Sequence, residues 1–108
     1  MKLYIGGAYQ GQEELAQQEN PGAEFFFGFH ETIREVLARG GDPLAYTEAF
    51  LRGHPEAVVT ANEVGCGLVP VRPEERAWRE AAGRALCRVA AKSGAVTRVV
   101  CGIGMRIK

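Results

Sequence analysis

Apolar and polar positions at the start of the 108-residue chain follow a strand, loop and helix pattern. Lys2 to Ile5 is a short apolar segment that leads into glycines. Gln12 to Glu19 consists of good helix formers, with Leu15 and Ala16 on one side. The tripeptide Asn-Pro-Gly at 20–22 then breaks the chain. We therefore predict a first strand and a first helix joined by a glycine-rich loop.

The middle of the chain continues this alternation. The run "EFFFGF", from Glu24 to Phe29, is continuously apolar, which is typical of a strand buried on both faces. Ile33, Val36 and Leu37 then recur at helical spacing, and the glycine pair at 40–41 predicts the end of that helix. The pattern predicts a second strand followed directly by a second helix.

A capped helix and a third strand follow. Asp42 is a good N-cap, Pro43 a good first residue and Gly53 a good terminator. The apolar residues of this helix are Leu44, Tyr46, Phe50 and Leu51. "AVVTA", from Ala57 to Ala61, then predicts a strand.

The last third contains the clearest helix, which begins at Pro73 and ends before Gly94. Its core stripe, at spacings of three and four, is Trp78, Ala82, Ala85, Leu86 and Val89. A strand to Cys101, a turn at 102–104 and a short final strand complete the pattern. The sequence thus predicts a small three-layer α/β domain over residues 1–108, with a mainly parallel sheet and a C-terminal strand pair.

Composition narrows the possible partners and location. Thirteen basic residues balance thirteen acidic ones, so no overall field favours nucleic acid or an anionic membrane. We find no apolar run near the roughly 20 residues that span a bilayer and no signal pattern, and we expect a cytoplasmic protein. Three widely spaced cysteines without a CxxC pair argue against disulfides and a zinc site, and we expect reduced thiols and no metal site.

The first loop, "IGGAYQGQEE", has the frame of a phosphate-binding loop, GxxxxGK[ST]. Gln12 stands in place of the lysine, and Glu13 stands in place of the hydroxyl that binds magnesium. Backbone N–H groups at a helix start bind phosphate whatever the side chains, so one hypothesis is a site for ATP or GTP with Mg²⁺. The alternative is a vestigial turn kept for packing. The candidate nucleotide-binding residues are Gly6, Gly7, Ala8, Tyr9, Gln10, Gly11, Gln12 and Glu13.

A second glycine-rich loop, "NEVGCGLVP", follows the third strand and contributes Asn62, Glu63, Gly65 and Gly67 as candidates. Open parallel sheets bind ligands at the carboxyl ends of their strands, so we expect this loop to lie near the first one. The alternative is that Asn62 stabilises the turn and Glu63 pairs with an arginine of the next helix. Cys66 is interpreted as a small filler residue between glycines.

The second half of the chain resembles the adenosylcobinamide kinase / adenosylcobinamide-phosphate guanylyltransferase family, whose motifs read TNEVGxGIVP, RxFRDxxGR and VxGxxxxIK. The matching residues are Asn62, Glu63, Val64, Gly65, Gly67, Val69, Pro70, Arg76, Arg79, Gly83, Arg84, Gly102, Ile107 and Lys108. Gly6, Gly7, Ala8 and Gly11 also match the family's GGARSGKS loop. The resemblance implies a P-loop NTPase-like domain, here truncated, a nucleotide or corrinoid ligand, and assembly into a trimer.

Several departures from the family pattern bear on activity. Family chains are longer, and the segment missing before "EFFFGF" is the one that carries the guanylylated histidine. His30 and His54 do not match its context, and His30 is interpreted as a residue at the start of a helix. Gly28 stands near the position of the family's metal-binding acid. Arg76, Arg79 and Arg84 are candidate contacts for phosphate or corrinoid, or a solvated face paired with glutamates.

Two functions remain open at the level of sequence. One is a nucleotide-binding or adenosylcobinamide-binding protein of cobalamin biosynthesis that retains residual kinase activity. The other is an inactive, oligomeric interaction module that retains the fold. The resemblance assigns no catalytic residue, and Trp78 is expected in the core or at a subunit interface.

Overall fold

The computed structural model describes residues 1–64 and 72–108. These residues form five strands and four helices. The elements are β1 (Lys2–Gly6), α1 (Gln12–Glu19), β2 (Phe25–Phe26), α2 (Phe29–Ala38), α3 (Pro43–Gly53), β3 (Val58–Asn62), α4 (Pro73–Lys92), β4 (Ala95–Val100) and β5 (Ile103–Arg106). Gly65, Cys66 and Gly67 of the second glycine-rich loop lie outside the described residues.

The five strands form one sheet in the order β2-β3-β1-β4-β5. The first four strands are parallel, and β5 pairs with β4 in the antiparallel sense. Gly6, at the end of β1, is in register with Asn62 of β3 and with Val99 of β4. The prediction of an α/β fold with a mainly parallel sheet and a C-terminal strand pair is confirmed.

Alternate residues of the central strands face opposite sides of the sheet, as strand geometry requires. Leu3, Val59 and Ala61 join the larger core with α2, α3 and α4. Tyr4 and Val58 join a smaller core with α1. Two helical layers therefore enclose the sheet, and α1 follows β1 on one face while α4 follows β3 on the other.

Local signals placed the helices correctly. The Asp42 carboxylate accepts hydrogen bonds from the N–H groups of Leu44 and Ala45, at 3.0 and 3.3 Å, so Asp42 is the N-cap of α3. Four residues of the predicted α4 stripe are buried, namely Ala82, Ala85, Leu86 and Val89. Trp78 is partly buried and packs against the same core.

The predicted strand over Glu24–Phe29 is largely wrong. Only Phe25 and Phe26 are in a strand, and both are partly rather than fully buried. This strand pairs with β3 alone and lies at the edge of the sheet. Gly28, with φ of 69°, turns the chain, and Phe29 is already the first residue of α2. The apolar run therefore belongs to two elements that are adjacent in sequence: Phe25 and Phe26 form an edge strand, and Phe29 is the buried first residue of α2.

The β4–β5 turn consists of two residues, Cys101 and Gly102, whereas the sequence predicted a glycine turn at 102–104. Cys101 and Gly102 have φ of 51° and 76°, and β5 begins at Ile103. Ile103, Met105 and Ile107 leave most of their side chains exposed, with Ile103 at 72%. The edge of the sheet at β5 is therefore apolar on one face.

Candidate functional site

The first glycine-rich loop connects the carboxyl end of β1 to the start of α1. A Cβ at Gly6 would lie 2.4 Å from the carbonyl oxygen of Val99, so the tight contact with β4 requires glycine there. Gly11 has φ of 90° and is the N-cap of α1. No side-chain hydrogen bond caps this helix.

Gln12, at the position of the phosphate-binding lysine, is folded inward and is only 6% exposed. Its amide nitrogen donates to the carbonyl oxygen of Gly7 at 2.9 Å and to Oδ1 of Asn62 at 3.1 Å. The carbonyl oxygen of Ala61 lies at 3.4 Å. An amide NH₂ has two hydrogens, so the two shorter contacts use both. The neutral Gln12 side chain therefore provides a hydrogen-bond donor for the Gly7 carbonyl inside the loop and links the loop to the end of β3.

The first turn of α1 carries two carboxylates, Glu13 and Glu14, and both are exposed. A helix N-terminus favours negative charge, and here the chain itself supplies that charge. The same carboxylates repel an incoming phosphate, which is the ligand that this loop frame otherwise suits. The negative charge of the first turn therefore disfavours an anionic ligand.

The start of the second loop, Asn62 and Glu63, meets the first loop at the same edge of the sheet, as expected. The N–H of Glu63 donates to the carbonyl oxygen of Gly6 at 2.8 Å. The Glu63 carboxylate lies 3.6 Å from Nε of Arg98 on β4. Together with the Gln12–Asn62 bond, these contacts bring together the two loops that the sequence proposed as one site.

His30 lines the cleft, although the sequence analysis interpreted it only as a residue at the start of a helix. It is 7% exposed, and its Nδ1 accepts a hydrogen bond from the N–H of Asn62 at 3.0 Å. Burial lowers the pKa of the imidazole below its ordinary value, while Glu31 opposes this shift and Arg34 adds to it. One feature of the sequence could have located His30 at the cleft. It lies two residues after Gly28, where the chain leaves the carboxyl end of β2.

A cleft of about 760 Å³ lies between the first loop, the start of α1 and the start of α2. Among the described lining residues, the charged ones are Glu13, Glu14 and Glu31. Residues 65–71 carry no charged side chain in the sequence. The cleft is thus lined by backbone, neutral polar groups and carboxylates, and the lining side chains that the structure describes include no lysine or arginine.

These residues do not fit magnesium with a nucleoside triphosphate. The position of the lysine is neutral and turned inward, the position of the hydroxyl is a carboxylate, and Gly28 has no side chain. Over residues 1–64 and 72–108, the structure contains no group of three or more His, Cys, Asp or Glu placed to hold a metal ion. The same part of the chain contains no helix that is both long and apolar enough to cross a membrane.

The α4 arginines stand apart from this cleft. Arg84 forms an ion pair of 2.6 Å with Glu80 on the exposed face of the helix. Neither it nor Arg76 nor Arg79 is among the described lining residues. The proposed contact of these three arginines with a ligand stays a prediction.

The β4–β5 turn holds the first loop from outside. Gln10 accepts from two backbone N–H groups, that of Cys101 to its Oε1 and that of Gly102 to its carbonyl oxygen, both at 2.7 Å. Tyr9, with φ of 59°, leaves its ring exposed beside the cleft. Cys87 and Cys101 are exposed free thiols.

Comparison with known proteins identifies the second half of this architecture. Residues 42–107 match the family described as CobU, cobinamide kinase / cobinamide phosphate guanyltransferase. A 53-residue stretch is 45% identical to the bifunctional adenosylcobalamin biosynthesis protein CobU of Salmonella typhimurium, and 43% identical to the protein of the same name from Escherichia coli. Each alignment covers 49% of this chain but only 29% of the relative.

The matched region runs from the N-cap of α3 through the second loop and α4 to the last strand, and the first glycine-rich loop lies before it. It covers more than half of the chain. The resemblance inferred from the motifs is confirmed, and the chain belongs to the cobinamide kinase / cobinamide phosphate guanyltransferase family.

Proposed function

We propose that this protein binds a corrinoid of the cobinamide class in the cleft beside its first glycine-rich loop and transfers no phosphate. The observation that carries the proposal is the inward-turned Gln12 in a cleft whose described charges are all carboxylates. Family membership supplies the class of ligand, because the family is described by its action on cobinamide. Because Gln12 and Glu13 replace the lysine and the hydroxyl of the loop, we do not extend nucleotide binding to this chain.

The character of the cleft suits cobinamide better than a nucleotide. Cobinamide carries amide arms and an aminopropanol hydroxyl, and it has no phosphate. Drug-sized ligands occupy pockets of roughly 300–1,000 Å³, and the corrin macrocycle with its arms exceeds that size. We therefore expect one arm to enter the cleft while the ring stays outside, beside the exposed Tyr9.

Titration with adenosylcobinamide, followed by its visible absorbance and by calorimetry, tests this function. Ala8 lines the cleft, so Ala8→Trp should obstruct it, whereas Ala45 is exposed on α3 and Ala45→Trp is the matched control. We expect the wild type and the control to bind and Ala8→Trp to bind at least tenfold more weakly. Absence of corrinoid binding together with tight magnesium-dependent binding of ATP or GTP would overturn the proposal.

A second candidate function is an interaction module that has lost its ligand. The observation that favours it is the apolar face of β5, where Ile103, Met105 and Ile107 are exposed at the edge of the sheet. Monomeric proteins seldom expose contiguous apolar surface without a partner. If neither adenosylcobinamide nor a nucleotide binds while the protein self-associates, this second function replaces the first.

A further inference from the structure

The imidazole of His30 is a buried titratable group in the wall of the cleft. Gly28 turns the chain out of β2, and His30 is the second residue of the helix that follows. The indole N–H of Trp78 donates to the carbonyl oxygen of His30 at 2.7 Å, and Arg34 lies 4.0 Å over the Trp78 ring. Arg34 also forms an ion pair with Glu75 of α4. The start of α2 is therefore fixed against α4.

The hydrogen bond at Nδ1 determines which ring nitrogen carries the proton. A backbone N–H only donates, so the N–H of Asn62 requires a lone pair on Nδ1. The proton of the neutral imidazole is then on Nε2. Protonation of Nδ1 would place its N–H against the N–H of Asn62, and two donors cannot form a hydrogen bond. Burial also disfavours the charged ring.

The Nε2–H group has a specific neighbour in the cleft. Nε2 lies 3.7 Å from Oε1 of Glu31, which is too long for a direct hydrogen bond but close enough for one ligand group to contact both atoms. Both residues line the cleft, and the Glu31 side chain is exposed. A hydroxyl or a primary amide accepts from Nε2–H while donating to the carboxylate, whereas a phosphate dianion only accepts and is repelled by Glu31.

We propose that His30 and Glu31 form a two-point site for a hydroxyl or primary amide on a ligand without negative charge. This inference deepens the proposed function, because it names the chemical group of the corrinoid that the cleft recognises. It also excludes His30 as the residue that accepts a nucleotidyl group, since one ring nitrogen is occupied by the backbone and the other carries the proton.

The tautomer can be tested without any ligand. Long-range ¹H–¹⁵N correlation spectra of the full chain at pH 7 should show an unprotonated Nδ1 and a protonated Nε2 for His30. His54, whose Nδ1 lies 2.9 Å from a Glu24 carboxylate oxygen, is the second histidine, and a His54→Asn variant assigns the signals. A proton on Nδ1, or an imidazolium ring, would overturn the two-point site whatever the protein binds.

Small probes test the recognised group independently of corrinoid binding. We expect millimolar 1-amino-2-propanol to shift the His30 ring signals by several times more than propylamine, which lacks the hydroxyl, and inorganic phosphate to leave them unchanged. Equal shifts for the two amines, or a larger shift with phosphate, would contradict the proposal. Because these probes need no corrinoid, failure of the proposed function and failure of this site remain distinguishable.

Three substitutions then relate the site to adenosylcobinamide. His30→Asn retains an acceptor for the Asn62 N–H but lacks the Nε2 donor, and Glu31→Gln replaces the carboxylate. We expect about tenfold weaker binding for each, which corresponds to one hydrogen bond. Glu35→Gln, at an exposed position on the same helix, is the control and should bind like the wild type. Unchanged affinity in the His30 and Glu31 variants would refute their contact with the ligand.

Discussion

The amide of Gln12 donates to the side-chain oxygen of Asn62 across 3.1 Å and so joins the start of α1 to the end of β3. This bond places a neutral group where the family pattern places the phosphate-binding lysine. The other hydrogen of the same amide satisfies the Gly7 carbonyl. The loop is stabilised by internal contacts.

We expect the wild type to bind ATP or GTP with magnesium weakly or not at all, and the change Gln12→Lys/Glu13→Ser to raise that affinity. The change adds a cation and a hydroxyl and removes a repulsion, without altering the glycines. A charge-assisted hydrogen bond contributes roughly 1.5–3 kcal/mol, so affinity should rise about tenfold to a hundredfold. Calorimetric titration measures this.

The control for that experiment is Gln17→Lys/Glu74→Ser, which changes net charge equally at exposed positions away from the cleft. It should leave nucleotide affinity unchanged. Tight magnesium-dependent binding by the wild type would show that the loop is not degenerate. We expect no turnover in the double mutant, because Gly28 still offers no acid.

Replacing Gln12 by leucine should destabilise the fold. The carbonyl of Gly7 and the Asn62 side chain would lose their donor in a partly buried setting, and we expect a loss near the lower end of the roughly 1–3 kcal/mol that an unsatisfied buried group costs. Urea unfolding measures the loss of free energy. Gln17→Leu, at an exposed position of the same helix, is the control and should change stability by less than about 0.5 kcal/mol. Equal effects for the two variants would refute the structural role of Gln12.

Two glycine-to-alanine substitutions should act in opposite directions. Gly6→Ala places a Cβ 2.4 Å from the Val99 carbonyl oxygen, so the parallel pair must shift, and we expect a loss of roughly 1–3 kcal/mol. Gly83→Ala, on α4, adds a Cβ that no other described part of the chain approaches within 4 Å beyond the local helix backbone, and it should stabilise by about 0.5–1 kcal/mol. Thermal unfolding of both variants checks the signs, and a stable Gly6→Ala protein would contradict the packing described.

Stability should fall in acid partly because of His30. Its pKa in the folded state is lowered by burial, so the unfolded chain binds more protons just below the ordinary value of 6.5. The contribution of the neutral ring is complete above pH 6.5 and is lost as the pH falls through the folded-state pKa. Unfolding free energies measured from pH 7.5 to 4.5 should decline less steeply in His30→Asn than in wild type. His54→Asn is the control, and an unchanged slope in His30→Asn would count against the buried neutral ring.

We predict self-association, with the trimer that the family resemblance implies. The edge strand β5 exposes a row of apolar side chains, and edges of this kind pair or become covered. Ile103→Lys/Met105→Lys should give a monomer, whereas Leu44→Lys on the exposed face of α3 should not. Light scattering after gel filtration decides this. A wild-type monomer at tens of micromolar, an order-of-magnitude choice for interface affinities, would contradict the prediction.

Local signals made most of the fold predictable from sequence. Asp42 and Pro43 specify the start of α3 by capping chemistry, and the apolar stripe of α4 specifies its buried face. The meeting of the two glycine-rich loops followed from a general rule for parallel sheets. These features depend on neighbouring residues or on strand order.

The features that the sequence did not predict depend on contacts between residues that are distant in sequence. The run at 24–29 contains only a two-residue strand, because Gly28 turns the chain away from β3 soon after Phe26 pairs with Val59. The role of His30 depends on Asn62, 32 residues away. The inward turn of Gln12 depends on the same residue across 50 positions. Sequence identifies which groups are present at such a site but not which of them already have partners.

The position of β1 also affects how the chain folds. Both of its neighbours, β3 and β4, come much later in sequence, so its register is formed by pairings such as Lys2 with Val58 and Lys2 with Ala95. Closing such long loops is entropically costly, and folds dominated by distant pairings form slowly. Until those partners arrive, both edges of the central strand stay open to intermolecular pairing. Refolding yield should therefore depend steeply on protein concentration, because aggregation competes with the final steps of sheet assembly.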